Sequence, residues 1–172
     1  MQAGIVMGSD SDLSLMAEAA KVLEQLGVES EMRVLSAHRV PEDLVKWIRD
    51  IEKRGCKVFI AGAGVAAALP GTVAAHTTLP VIGIPLTSAN SALGGMDALL
   101  SIVQMPPGVP VATVGLNAGK NAGVLAAQII ALTDETVKMH VATYKAKQSA
   151  DVLAKNEKLI EKGYKKYLEE QK

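Results

Sequence analysis

Between Val58 and Ala75 the only polar side chain is Thr72, so this stretch must be buried almost whole. Such a run is long enough to suggest a membrane span. Gly62, Gly64, Pro70 and Gly71 interrupt it, however, where a spanning helix needs unbroken backbone hydrogen bonding. It reads as a buried strand, a loop and a buried helix. A strand that is apolar on both faces belongs in the middle of a parallel sheet covered by helices on each side.

The rest of the chain repeats that pattern. Short, mostly apolar runs at Ala3–Met7, Glu31–Leu35, Lys57–Ala61, Val81–Pro85 and Pro110–Val114 predict five strands. Helical spacing separates them. Leu13, Met16, Ala20, Leu23 and Leu26 share one face of a predicted helix over Leu13–Leu26, and Leu44, Trp47, Ile48 and Ile51 do so over Pro41–Arg54. Pro41 suits a first helical position, and Glu42 and Asp43 complement the helix dipole. Strand alternating with helix implies right-handed crossovers and an α/β fold with one parallel sheet.

At 172 residues the chain fits a single domain, with an α/β core over 1–134 and a tail over 135–172. The tail is rich in Lys, Glu and Gln, with Val152, Leu153, Ile160, Tyr164, Tyr167 and Leu168 as spaced apolar positions. It reads as an amphipathic helix that either packs on a neighbouring subunit or stays solvated. Lys plus Arg and Asp plus Glu both number 18, which leaves no charge surplus for nucleic acid or an anionic membrane surface. Cys56 is the only cysteine, so no internal disulfide or thiolate zinc cluster forms. The N-terminus lacks the pattern of a secretory signal, and a cytoplasmic location is expected.

In parallel sheets ligands bind beyond the carboxyl ends of the strands. Here those ends carry Gly8–Asp12, Ser36–Arg39, Ala61–Gly64 and Leu86–Ser91. Ser9, Ser11 and Asp12 open a helix, where hydroxyls and free N–H groups receive a phosphate and a carboxylate holds sugar hydroxyls; the same residues also serve as plain helix caps. Ser36-Ala37-His38-Arg39 sets an anion-binding guanidinium beside the one side chain that titrates near neutrality. Gly62, Gly64 and Gly71 suit either close approach of backbone to a ligand or close helix-to-strand packing. Gly62-Ala63-Gly64 lacks the third glycine and the following acidic residue of a dinucleotide fingerprint. His76 lies in an apolar helix and His140 on the tail, and neither is a candidate catalyst. The three histidines form no metal-ligand pattern, so no metal is expected.

Taken together, Met7-Gly8-Ser9-Asp10-Ser11-Asp12, Ser36-Ala37-His38-Arg39-Val40-Pro41, Ala61-Gly62-Ala63-Gly64, Leu69-Pro70-Gly71 and Ser101-Ile102-Val103-Gln104-Met105-Pro106 closely resemble the N5-carboxyaminoimidazole ribonucleotide mutase family, known as PurE. The resemblance covers Gln2 to Leu132. Arg39 before Val40-Pro41 is similar to the bacterial mutase class rather than the animal-type carboxylases, which have Lys after that histidine.

The resemblance implies a flavodoxin-like three-layer sandwich, a homo-octamer, a small nucleotide substrate and no cofactor. It implies a step of purine synthesis that moves a carboxylate from an exocyclic nitrogen to C4 of an imidazole. By position, His38 is the expected proton shuttle, and Ser9, Ser11, Asp12, Ser36, Arg39, Ala63, Gly64 and Leu69 the expected substrate contacts. The loop from Gly62 to Gly71 is expected to close a dry pocket that retains CO2. One departure stands out. Where the family usually reads Gly-Gly-Ala-Ala-His-Leu-Pro-Gly, this chain has Gly64-Val65-Ala66-Ala67-Ala68-Leu69-Pro70-Gly71, with Val65 for a glycine and Ala68 for a histidine. Three readings follow: the mutase, a nucleotide-binding paralogue without turnover, and a carboxylase acting directly on CO2.

Overall fold

The computed structural model describes residues 1–87 and 91–171. Ser88, Ala89 and Asn90 of the fourth strand-end loop lie outside them. Five parallel strands, β1 (Ala3–Met7), β2 (Ser30–Val34), β3 (Val58–Gly64), β4 (Val81–Leu86) and β5 (Ala112–Thr113), form one sheet in the order β2-β1-β3-β4-β5. Among the described residues α1 (Leu13–Gln25), α2 (Pro41–Lys53), α3 (Leu69–Ala75) and α4 (Met96–Val103) connect successive strands, and α5 (Gly119–Ile130) and α6 (Glu135–Glu169) follow β5. This is the doubly wound flavodoxin-like order, with helices on both faces.

Alternation along the central strands sorts side chains into two cores. Ala3, Ile5 and Met7 of β1, Val58 and Ile60 of β3, and Ile82, Ile84 and Leu86 of β4 pack with α1, α5 and the start of α6. On the other face Val6, Phe59, Ala61, Ala63 and Val81 pack with α2, α3 and α4. With aromatics at only 3% of residues, close approach of backbones fills the space that large rings otherwise fill. Gly123 of α5 lies against α1, where a Cβ would stand 2.2 Å from a Val22 methyl and 2.7 Å from the Ala19 carbonyl oxygen.

Most boundaries shift by a residue, and three features depart further from the sequence reading. β3 runs on to Gly64, because Gly62, Ala63 and Gly64 continue the ladder opposite Ile84, Pro85 and Leu86. β5 shrinks to two residues at the sheet edge. Pro110 brings no N–H to a ladder, and only Ala112 and Thr113 pair with β4. Leu13 is 48% exposed rather than buried, because a short 3-10 turn (Asp10–Asp12) precedes α1; Met16, Ala19, Val22 and Leu23 form its inner face. The face expected for α2 is buried as read.

The tail is one long helix interrupted at Gly163, whose φ of 70° departs from helical geometry. Asp134 caps it, its Oδ1 accepting from the Val137 N–H at 3.1 Å while Gln2 Nε2 donates to Oδ2 at 3.0 Å. Val137 is buried, and Val141 and Tyr144 pack against the core. His140 places Nδ1 3.0 Å from the Leu26 carbonyl oxygen at the end of α1, which makes it a docking residue of the tail. Further on, Val152, Leu153, Ile160, Tyr164 and Leu168 are exposed on this chain.

Edge strand β2 is fastened to α2 by Glu31. Its Oε1 accepts from Trp47 Nε1 and Arg33 Nε, both at 2.9 Å, and its Oε2 from Arg54 Nη1 at 2.8 Å. The Arg54 hydrogen bond, aided by those from Trp47 and Arg33 and opposed by burial, pulls the Glu31 carboxyl down from 4.5 to about 2. A lowered folded-state value means that the stabilisation is complete above the unfolded value and is lost as pH falls towards 2. Urea midpoints measured from about pH 6 down to about pH 3 are expected to fall more steeply for the wild type than for Glu31→Gln. Parallel curves would contradict the role given to Glu31.

Candidate active site

In the order 2-1-3-4-5 the chain leaves β1 on one side to reach β2 and returns on the other to reach β3. The loops after β1 and β3 therefore diverge and leave a crevice between them. A cleft of about 270 Å3 occupies it, lined by Gly8, Ser9, Ser11 and Asp12 after β1, Ser36 to Arg39 after β2, and Ala63 to Ala66, Ala68 and Leu69 at the end of β3 and start of α3. All nine residues proposed from sequence, Ser9, Ser11, Asp12, Ser36, His38, Arg39, Ala63, Gly64 and Leu69, lie together on its wall. A larger groove of about 650 Å3 along α2, bordered by Thr72 and His76, contains none of them.

Each loop presents its groups for a local reason. Ser9 is extended and caps the 3-10 turn, its Oγ accepting from the Ser11 N–H at 3.3 Å, so the capping reading of this residue holds. The Ser11 hydroxyl donates to Ser9 Oγ at 2.9 Å. Burial, opposed by the Ser11 hydroxyl and the Ser9 backbone, pushes the Asp12 carboxyl above its usual range. A carboxylate so placed gains from hydroxyl donors brought by a ligand. After β2, the Arg39 and Val40 N–H groups donate to the Ser36 carbonyl, closing a turn that leaves His38 and Arg39 exposed. Arg39 Nη2 reaches across to the Gly8 carbonyl oxygen at 2.7 Å and so joins the first loop to the second.

The third wall is wholly aliphatic. Ala63 and Leu69 are buried, at 8% and 3% exposure, while Val65, Ala66 and Ala68 face the opening. Val65 has a φ of +54°, a left-handed conformation in which a branched Cβ crowds the backbone. A glycine is the natural occupant, and the sequence departure at this position is thus a strained one. The other glycines of this region serve packing. A Cβ on Gly62 would stand 2.2 Å from Met16 Sδ, one on Gly64 3.0 Å from the Leu86 carbonyl oxygen, and one on Gly71 3.3 Å from Met105.

Sequence reasoning left Gly8, Ala37, Val65, Ala66 and Ala68 out of the contact set, although all line the cleft. Small apolar side chains carry no chemical signal of their own, and only the loop position marks them. His76 follows α3, with Nδ1 2.8 Å from the Thr72 carbonyl oxygen, and borders the groove along α2 instead. Among the described residues no group of three or more His, Cys, Asp or Glu is placed to hold a metal, and no helix is long and apolar enough to cross a membrane.

A parallel sheet of this order with a polar cleft at its switch point defines a flavodoxin-like α/β protein that receives a small ligand beyond its strand ends. Comparison with known proteins narrows the class. Residues 2–151 match the family AIRC, described as AIR carboxylase. The chain is 54% identical over 166 residues to the N5-carboxyaminoimidazole ribonucleotide mutase of Pyrococcus abyssi, covering 96% of this chain and 94% of that one. It is 50% identical over 165 residues to the protein of the same name from Thermotoga maritima, covering 96% and 95%. The crystal structure of Treponema denticola PurE superposes with a TM-score of 0.82 at 29% identity, over 92% of this chain and 98% of that one. The chain belongs to the AIR carboxylase family.

Val65→Gly removes the left-handed strain and little buried surface, since Val65 is 46% exposed. Set against the greater freedom of glycine in the unfolded chain, the exchange is expected to add about 1 kcal/mol to unfolding stability. Equilibrium urea denaturation checks it, and a loss of stability would show that the branched side chain makes contacts worth more than the strain.

Proposed function

We propose that this protein is a mutase converting N5-carboxyaminoimidazole ribonucleotide to its C4-carboxylated isomer, with His38 as proton shuttle. The observation that carries the reading is His38 beside Arg39 on a cleft that has no other imidazole among its lining residues. Ser9, Ser11, Ser36 and Arg39 would hold the phosphate, through hydroxyls, N–H groups at a helix start and a guanidinium. Binding of phosphate would draw Arg39 from the Gly8 carbonyl. Asp12 would take ribose hydroxyls, and Ala63, Gly64 and Leu69 would border the base.

The proposed chemistry balances on one proton. Imidazolium His38 gives its proton to the exocyclic nitrogen as the N–C bond breaks and its electron pair returns to nitrogen, releasing CO2. C4 then attacks the CO2 carbon, and neutral His38 removes the C4 proton, which restores the aromatic ring. One imidazole serves both steps, since the nitrogen that gives up its proton is then the base that takes one back. The aliphatic third wall keeps the CO2 dry between the steps.

Ala68 favours a second reading, a nucleotide-binding relative without turnover, since the imidazole usual at that place is missing. One assay separates the two. Purified protein is expected to isomerise the substrate, and His38→Asn to lose about 100- to 10,000-fold in kcat while still binding the nucleotide. Binding without isomerisation by the wild type would favour the second reading.

We also propose a homo-octamer of single-domain subunits, in which the outer half of α6 packs on a neighbour. The exposure of Val152, Leu153, Ile160, Tyr164 and Leu168 supports it, since a lone chain leaves these groups in water. Light scattering is expected to give the mass of an octamer of the 18.0 kDa chain, and a monomer mass would overturn the proposal.

A further inference from the structure

We infer that Val65 is the barrier that keeps CO2 in the cleft between the two half-reactions; the inference rests on the mutase reading. Three observations converge on this residue. Its φ of +54° puts a β-branched side chain where backbone geometry favours glycine, so the branch is kept at a cost to stability. Strain of this kind is held where the surroundings over-determine it. On one side Gly64 is fixed in the ladder opposite Leu86, and on the other Leu69 and Val73 are buried at the start of α3. The Ala67 N–H donates to the Val65 carbonyl at 3.0 Å and the Ala68 N–H to the Ala66 carbonyl at 2.8 Å, which ties the bend between them.

The second observation is placement. Val65 is 46% exposed and, just after β3, lines the same cleft as His38 and Arg39. The third is chemistry. Its neighbours on that wall, Ala66 and Ala68, end at one methyl each, so Val65 carries the largest exposed apolar group of the loop. CO2 is small, uncharged and without hydrogen-bond donors, so no anion site retains it; an apolar group that blocks its path and excludes water does. With only a methyl at Ala68, that duty falls to the isopropyl group of Val65, three residues earlier.

The test follows isotope into the product. Wild type, Val65→Gly and Val65→Ile turn over unlabelled substrate in buffer equilibrated with 13C-bicarbonate and carbonic anhydrase, and the labelled share of product carboxylate is read by mass spectrometry. Read at low conversion and extrapolated to zero time, this share is a ratio within the product and does not depend on how much enzyme is folded. Wild type and Val65→Ile are expected to give little label, and Val65→Gly at least about threefold more, the change produced by a modestly lower escape barrier. Equal labelling in Val65→Gly and wild type would overturn the inference, as would wild-type product labelled to the level of the medium. A wild type that binds the nucleotide and forms no product would instead overturn the mutase reading beneath it, a separate result.

Discussion

The pairing of β1 on both sides determines where this protein can act. Ala3 to Met7 is in register with Ser30 to Val34 on one edge and with Val58 to Gly62 on the other, so the chain leaves β1 towards one edge and crosses back past it to the other. At the carboxyl end the loops after β1 and β3 therefore diverge. Three loops that are far apart in sequence meet there, each beginning at a strand end and leading into a helix. The cleft is a product of topology before any side chain is chosen. Side chains then decide its character: hydroxyls and a carboxyl after β1, an imidazole and a guanidinium after β2, aliphatic groups after β3.

Precision at the cleft depends on how firmly the layers behind it are held. Met16 lies over Gly62 and so sets α1 against the centre of β3, while Gly123 lets α5 close on α1. On the opposite face Trp47 meets Phe59 edge-on at 5.7 Å, and Glu31 ties the same tryptophan to the edge strand. Tight packing of small groups leaves few ways for a loop to relax. That rigidity lets a valine stay left-handed at the rim, where a looser scaffold would unwind the turn and release the strain.

The fold was largely legible in the sequence because buried parallel strands are written as short apolar runs, and α2 carries a full helical face with a marked start. Boundaries were less so. Gly62, Ala63 and Gly64 read as loop because glycine is common in turns, yet their backbones pair normally, and only the neighbours Met16 and Leu86 explain why no side chain fits. Leu13 matched the helical spacing but falls where the 3-10 turn joins α1, a rotation that spacing alone does not record. The polar half of the site was legible because hydroxyl, carboxyl, imidazole and guanidinium groups declare their chemistry. The aliphatic half was not: an alanine on a cleft wall and an alanine in a core are the same letter, and the φ of Val65 exists only in the folded chain.

A cleft with one imidazole also constrains what the missing one does in relatives that have it. The isomerisation as proposed uses a single proton, given to nitrogen when the carbamate breaks and taken from C4 when the new bond has formed. Its balance needs no second base. An imidazole at the position of Ala68 therefore contributes something other than the proton count, such as a hydrogen bond to the migrating carboxylate or a wall against water. The first is a polar contact that alanine cannot replace, whereas the second is a matter of shape that a bulkier neighbour supplies. Set against the motif the sequence resembles, this loop between β3 and α3 carries its bulk at Val65 rather than at Ala68. The two departures then read as one compensated exchange, in which positive φ strain at Val65 is the cost of retaining an apolar wall without the ring.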